Sequence, residues 1–214
     1  MLRASYTQPM SEQTEQARTD RGLDRLVNFS DATVAIAITI LILPLVDLAG
    51  ELSRDETAGD LLRQNWPALL EFLVTFWVIA RFWTLHHQVF EHVRSYNPQV
   101  MRLNFVWLIS IVFLPFAANL LDTGGDDDRV SHGLYIGTMV LTSLSLTAIE
   151  YELRRRPELL STPLRDPSKG FVAVGLMVLA LVLALLVPSV GLYWVLLLLL
   201  QGPIAQLLRR RRAA

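Results

Sequence analysis

Six predominantly apolar stretches occupy more than half of this 214-residue chain, and each is close to the length needed to cross a bilayer. They run over 23–48, 66–90, 103–121, 134–153, 171–187 and 191–208. A helix rises about 1.5 Å per residue, so about 20 apolar residues span the ~30 Å of hydrocarbon. In lipid every backbone N–H and C=O must be paired within its own segment, which leaves helices as the reading for such stretches. With 52% hydrophobic residues, the expectation is an all-α membrane protein with six transmembrane helices and no soluble domain of useful size.

The charges separate by side. Arg3, Arg18 and Arg21 precede the first stretch and Arg25 stands at its start, and Arg94 and Arg102 lie in the second-to-third connection. Arg154–Arg156, Arg165 and Lys169 follow the fourth, and Arg209–Arg212 follow the sixth. The other connections carry only Arg54, Arg63 and Arg129, set among Glu51, Asp55, Glu56, Asp60, Asp122 and Asp126–Asp128. Short loops rich in Lys and Arg stay in the cytoplasm, so both termini are expected there, in a multi-pass protein of the cell membrane. Residues 1–20 are polar, with no apolar core of a cleavable signal, and are expected to be a disordered cytoplasmic tail. The division is then a tail over 1–20, a membrane unit over 21–208 and a basic tail over 209–214. The arginine runs suit anionic headgroups better than nucleic acid. The chain contains no Cys, which removes disulfides, thiol catalysis and Cys-ligated metal.

Polar residues inside such spans are costly and need a reason. Arg25, Phe29, Ser30 and Asp31 stand at the start of the first helix, and Trp83, His86 and His87 near the end of the second. Asn104 opens the third, at a similar depth. Asp31, one of the two histidines, Asn104 and the Trp83 indole can therefore form one buried network. A helix cap is the simpler reading of Ser30-Asp31, but it does not explain polar residues at matching depth on three helices. Adjacent histidines point to different helix faces, which disfavours a shared metal. Arg81 lies deeper in the second helix and needs protein, water or a carboxylate; Glu71 and Glu150 are candidates between which the sequence does not choose. At 100° per residue, Phe29, Ala32, Ile36, Thr39 and Leu43 share one face of the first helix with Ile40 at its edge. Asp31, Val34, Ile38, Leu41 and Leu45 take the other. Pro115 removes a hydrogen bond from the third helix and is expected to kink it.

Arg25…Phe29-Ser30-Asp31 leading into Ala35-Ile36-Ala37-Ile38-Thr39, then Trp83…His86-His87…Phe90, Asn104, Phe113-Leu-Pro-Phe116 and Asn119-Leu-Leu, occur in an order that resembles the transmembrane protein 175 family of potassium channels. The resemblance covers about residues 21 to 121. It implies the prokaryotic form, a single six-helix unit assembled as a homotetramer with the first helix lining a central pore. It places Ile36 at the narrowest aliphatic ring, Thr39 at a hydroxyl layer linked to potassium preference and Leu43 at a second ring. The residues of the Arg25, Phe29, Ser30, Asp31, Trp83, His86, His87 and Asn104 set become scaffold. Potassium is the implied permeant ion, with no cofactor, no catalytic residue and no metal site. Thr33 and Ala35 depart from the family pattern beside the constriction: a bulky apolar residue is common at the first position, and a small hydroxyl residue occurs in some members at the second. Physically, four copies of the apolar face would form a narrow pore in which passage depends on ion dehydration, with acidic outer loops enriching cations.

Four other readings stay in play. A proton-permeable or weakly selective channel fits the same face. A secondary transporter lacks support from inverted repeats, broken-helix pairs or mid-membrane carboxylates. A membrane enzyme using His86, His87, Asp31 and Glu150 lacks a nucleophile motif or ligand spacing, and a scaffold without transport is the blandest alternative.

Overall fold

The computed structural model describes residues 10–50, 57–123, 128–164 and 168–186. Helix α1 covers Met10–Ile40, α2 Leu43–Gly50, α3 Ala58–Gln64, α4 Trp66–Phe90, α5 Pro98–Thr123, α6 Arg129–Arg155 and α7 Ser168–Leu186, with a 3-10 turn at Pro157–Leu159. Among the described residues, four stretches are long and apolar enough to cross a membrane: Arg21–Gly50, Trp66–Phe90, Pro98–Leu121 and Arg129–Arg155. The apolar part of α7, Gly170–Leu186, is shorter. The expected sixth span and the basic tail over 209–214 lie outside the described residues.

Two differences from the sequence expectation concern α1. It begins at Met10, inside the segment expected to be a disordered tail. Glu, Gln, Ala and Arg are good helix formers, and a helix extending an existing one carries no nucleation cost. At its other end the expected single helix is interrupted at Leu41–Ile42, where a turn separates α1 from α2. Pro44 is the cause. It has no N–H for the carbonyl of Ile40, and its ring crowds the preceding turn. Ile42 then donates to Thr39 at 3.4 Å before the ladder resumes with Val46 to Ile42 at 3.0 Å. Pro115, by contrast, sits inside an unbroken α5.

The core is centred on α5 and α6, which pack most extensively on each other. Trp107, Ile111 and Leu114 of α5 and Tyr135, Ile136, Met139, Ile149 and Leu153 of α6 are fully buried. Buried Thr138, Thr142 and Ser145 donate to carbonyls one turn back, so their hydroxyls are satisfied inside α6. Thr142 also reaches Ser110 of α5 at 2.9 Å. Ala173, Ala180 and Ala184 lie on the buried side of α7 together with Leu176 and Met177; the small residues among them let helices approach closely where lipid gives no hydrophobic drive.

The connections α4–α5 and α6–α7 lie side by side. Val93 pairs with Leu160, the N–H of Arg94 donates to Leu159 at 2.9 Å, and that of Ser161 to His92 at 2.8 Å. This end carries Arg94 and Arg154–Arg156 and is the basic end of the bundle. The opposite, acidic end holds two helix starts. Thr57 and Asp60 form a capping box on α3, and Asp128 caps α6, accepting from the Val130 N–H at 2.9 Å and the Ser131 hydroxyl. Hydrogen bonds from Thr57 hold the Asp60 carboxyl below the usual range, and those from Ser131 and Val130 do the same for Asp128. Both stay ionised at neutral pH.

The candidate pore helix and its anchorage

Helix α1 has two unlike sides. Leu26, Ser30, Val34, Ala37 and Leu41 are buried against α4 and α5, Val34 to 2% exposure. Phe29, Ile36 and Leu43 are 52%, 61% and 52% exposed, and Ile40 is exposed with them. Ala32 and Thr39 share that side. Of the four spans, the one containing α1 is the least covered by its own subunit. Phe29 meets Phe105 of α5 edge to face, with ring centroids 6.2 Å apart.

The hydroxyls on this helix are turned into its backbone. Thr33 donates to Phe29 at 2.8 Å and Thr39 to Ile36 at 2.8 Å. A threonine whose proton is committed to a carbonyl presents only lone pairs outward, which suits a cation and not an anion.

Anchorage of α1 comes from two separate polar branches, where the sequence suggested one network. In the first, the Trp83 indole N–H donates to Asp31 Oδ1 at 2.8 Å. In the second, Asn104 Oδ1 lies 2.8 Å from His86 Nε2, and Asn104 Nδ2 donates to Ser30 Oγ at 2.9 Å. Ser30 Oγ in turn donates to the Leu26 carbonyl at 2.9 Å. The amide oxygen of Asn104 can only accept, so His86 carries its proton on Nε2. Ser30, His86 and Asn104 are all buried. A buried, fully satisfied chain across α1, α4 and α5 fixes their relative depth, because each unmade bond would leave a dry polar group.

The two histidines divide as helix geometry requires. His86 lies between the rings of Phe90 and Trp107, at 4.3 and 4.1 Å. His87 points to the other side, 3.3 Å from Glu91, and stacks on Trp83 at 5.3 Å. It supports Trp83 and does not join the Asn104 branch. Arg25, one turn below Phe29 on the exposed side, forms no hydrogen bond or ion pair among the described residues, so it stands outside the network in which the sequence reading included it. Arg81 is exposed and likewise has no such partner there. Glu150, one of its candidate partners, is 3.7 Å from Arg154 instead. Sequence reasoning missed Trp107, although it follows Asn104 by three residues and so shares its face of α5.

The model of the family described as endosomal/lysosomal potassium channel TMEM175 matches residues 25–115, the part of the chain that holds the second half of α1, α2 to α4 and most of α5. A potassium channel of Streptomyces collinus is 31% identical over 150 residues, covering 67% of this chain and 70% of that one. The human endosomal/lysosomal proton channel TMEM175 is 29% identical over 104 residues, 48% of this chain and 20% of the human protein. Among solved structures, a lysosomal potassium-selective channel TMEM175 homolog from Chamaesiphon minutus matches with TM-score 0.66 and 25% identity, over 86% of this chain and 98% of that one. Sequence likeness over two thirds of a bacterial relative and a shared fold over most of the chain agree with the site itself: this protein belongs to the TMEM175 family.

Proposed function

We propose that the protein is a potassium-preferring cation channel of the TMEM175 type, a homotetramer of six-helix subunits in which α1 lines the pore. The supporting observation is the two-sidedness of α1. One side is tied down by Ser30 and Asp31, while the side with Phe29, Ile36, Thr39, Ile40 and Leu43 is left uncovered by its own subunit. In this reading Ile36 forms the constriction and Leu43 an outer ring, with Ile40 at their edge. The Thr39 oxygen replaces part of the lost hydration as an ion leaves the apolar ring. No Gly-rich re-entrant loop is needed for such a filter. The charged carboxylates at the acidic end concentrate cations at one mouth, and the positive-inside pattern puts that mouth outside the cell.

The human relative's name as a proton channel favours a second reading, in which protons pass through the same helix face. Purified protein in liposomes separates the two, with potassium, sodium and proton fluxes read separately. The first reading predicts passive potassium flux exceeding sodium flux, with no saturation under opposing gradients. Proton flux without potassium flux would favour the second, and no flux at all would contradict both.

A further inference from the structure

The uncovered side of α4 carries one charge on a helix otherwise built for hydrocarbon. Leu73, Trp77, Arg81, Thr84 and Gln88 follow one another at helical spacing and make one stripe. Leu73, Trp77, Arg81 and Gln88 are exposed, and Thr84 is half-buried between them. Arg81 lies nine residues before Phe90, where α4 ends at the basic end of the bundle, or about 14 Å along the axis. A guanidinium so far inside a span is costly and needs a counter-charge. The acid nearest to it in depth is Asp31, but Asp31 accepts from the Trp83 indole on the far side of α4. Glu71 is ten residues, about 15 Å, nearer the acidic end, and Glu150 is 3.7 Å from Arg154. The apolar stretches 103–121, 171–187 and 191–208 contain no Asp or Glu.

Depth and charge together select the occupant. A long cationic side chain snorkels toward the nearer surface, which for Arg81 is the basic end. Thr84 and Gln88 stand on that path. Thr84 donates its proton to the Ala80 carbonyl at 2.8 Å, so the donors along the path are the guanidinium and the Gln88 amide. Outward of Arg81 the stripe is hydrocarbon-facing Trp77 and Leu73. A fork of donors beside an apolar track fits a phosphate that carries acyl chains, whereas free phosphate does not enter hydrocarbon. A zwitterionic headgroup brings its own ammonium to that phosphate; an anionic one does not. We infer that Arg81 holds the phosphate of an anionic phospholipid from the leaflet at the basic end, drawn inward past Gln88, with an acyl chain over Trp77 and Leu73. The stripe is on α4, and its occupancy does not depend on conduction along α1.

Native mass spectrometry of the full chain, purified in detergent and given equal amounts of phosphatidylglycerol and phosphatidylcholine at one lipid per subunit, reads the site. The parent should retain phosphatidylglycerol at least fivefold over phosphatidylcholine. Arg81→Gln should cut phosphatidylglycerol retention at least fivefold. Arg155→Gln, which removes an exposed arginine at the end of α6, should change it less than twofold. Gln88→Glu sets an anion on the stripe at an exposed position and should lower retention at least threefold. Size-exclusion profiles matching the parent establish that the variants fold. If Arg81→Gln does not fold, the parent's preference and Gln88→Glu still decide. Equal retention of the two lipids by the parent, retention unchanged in Arg81→Gln or Gln88→Glu because a second copy of the chain covers the stripe, or an equal fall in Arg155→Gln, would each overturn the site.

Discussion

Ile36→Asn is expected to raise current several-fold and bring the potassium-to-sodium permeability ratio close to one. In the parent, the side chains at this position offer an ion nothing in return for its water, so the barrier is dehydration, which differs between potassium and sodium. An amide at the same place supplies oxygen ligands and keeps the ring wet. The discrimination is then lost together with the barrier. A tenfold fall in the permeability ratio corresponds to about 1.4 kcal/mol, well within the reach of one ring of side chains. Bi-ionic reversal potentials measure the ratio directly. Thr39→Val makes the complementary test, because it retains volume but removes the oxygen whose proton is committed to Ile36. It should lower potassium preference with little change in the size limit. Unchanged reversal potentials in Ile36→Asn would remove Ile36 from the filter.

The second large effect is on assembly. Asn104→Leu should lose the folded, assembled protein. Asn104 accepts from His86 and donates to Ser30 in a buried site. Its loss leaves the His86 N–H without an acceptor and Ser30 without its donor, at about 1–3 kcal/mol for each unsatisfied group. Asp31→Ala should cost less, since the bond it breaks is the single one to a half-buried Trp83, and His86 and Asn104 keep their partners. His87→Ala should remain close to the parent, because that ring is on the exposed side of α4 and its polar and ring contacts among the described residues are those to Trp83 and Glu91. Expression and size-exclusion chromatography rank the three variants. Equal loss in Asp31→Ala and Asn104→Leu would mean that the two branches act as one network after all.

The contrast between those variants marks where the sequence stopped being informative. The two faces of α1 could be read from it because apolar residues recur at helical spacing, and Val34 and Ile36 fell on opposite sides as that spacing requires. The depth match among Ser30, Asp31, Trp83 and Asn104 could be read from their distances to the helix ends. The pairing could not. Adjacent histidines differ by 100° around α4, and only the rotation of α4 against α5 decides that His86 faces Asn104 while His87 faces outward. Trp107 was passed over because an aromatic in a membrane helix usually signals apolar packing, and its role as one wall of the His86 site depends on a third helix. The interruption at Leu41–Ile42 follows from Pro44. Arg25 and Arg81 show the reverse limit. Motif or depth alone suggested partners for them, and the packed subunit supplies none among the described residues.

The central claim, that the exposed side of α1 meets its own copies around a pore, is tested most directly by cross-linking, for which the absence of Cys makes the parent chain a clean background. Ile36→Cys in membranes, oxidised and run without reducing agent, should give a subunit-to-subunit disulfide and lose potassium flux on reaction with a thiol reagent. Val34→Cys and Leu41→Cys, both buried within the subunit, should give neither. Cross-linking at Val34 or Leu41 with none at Ile36 would mean that the helix presents its other side to the pore.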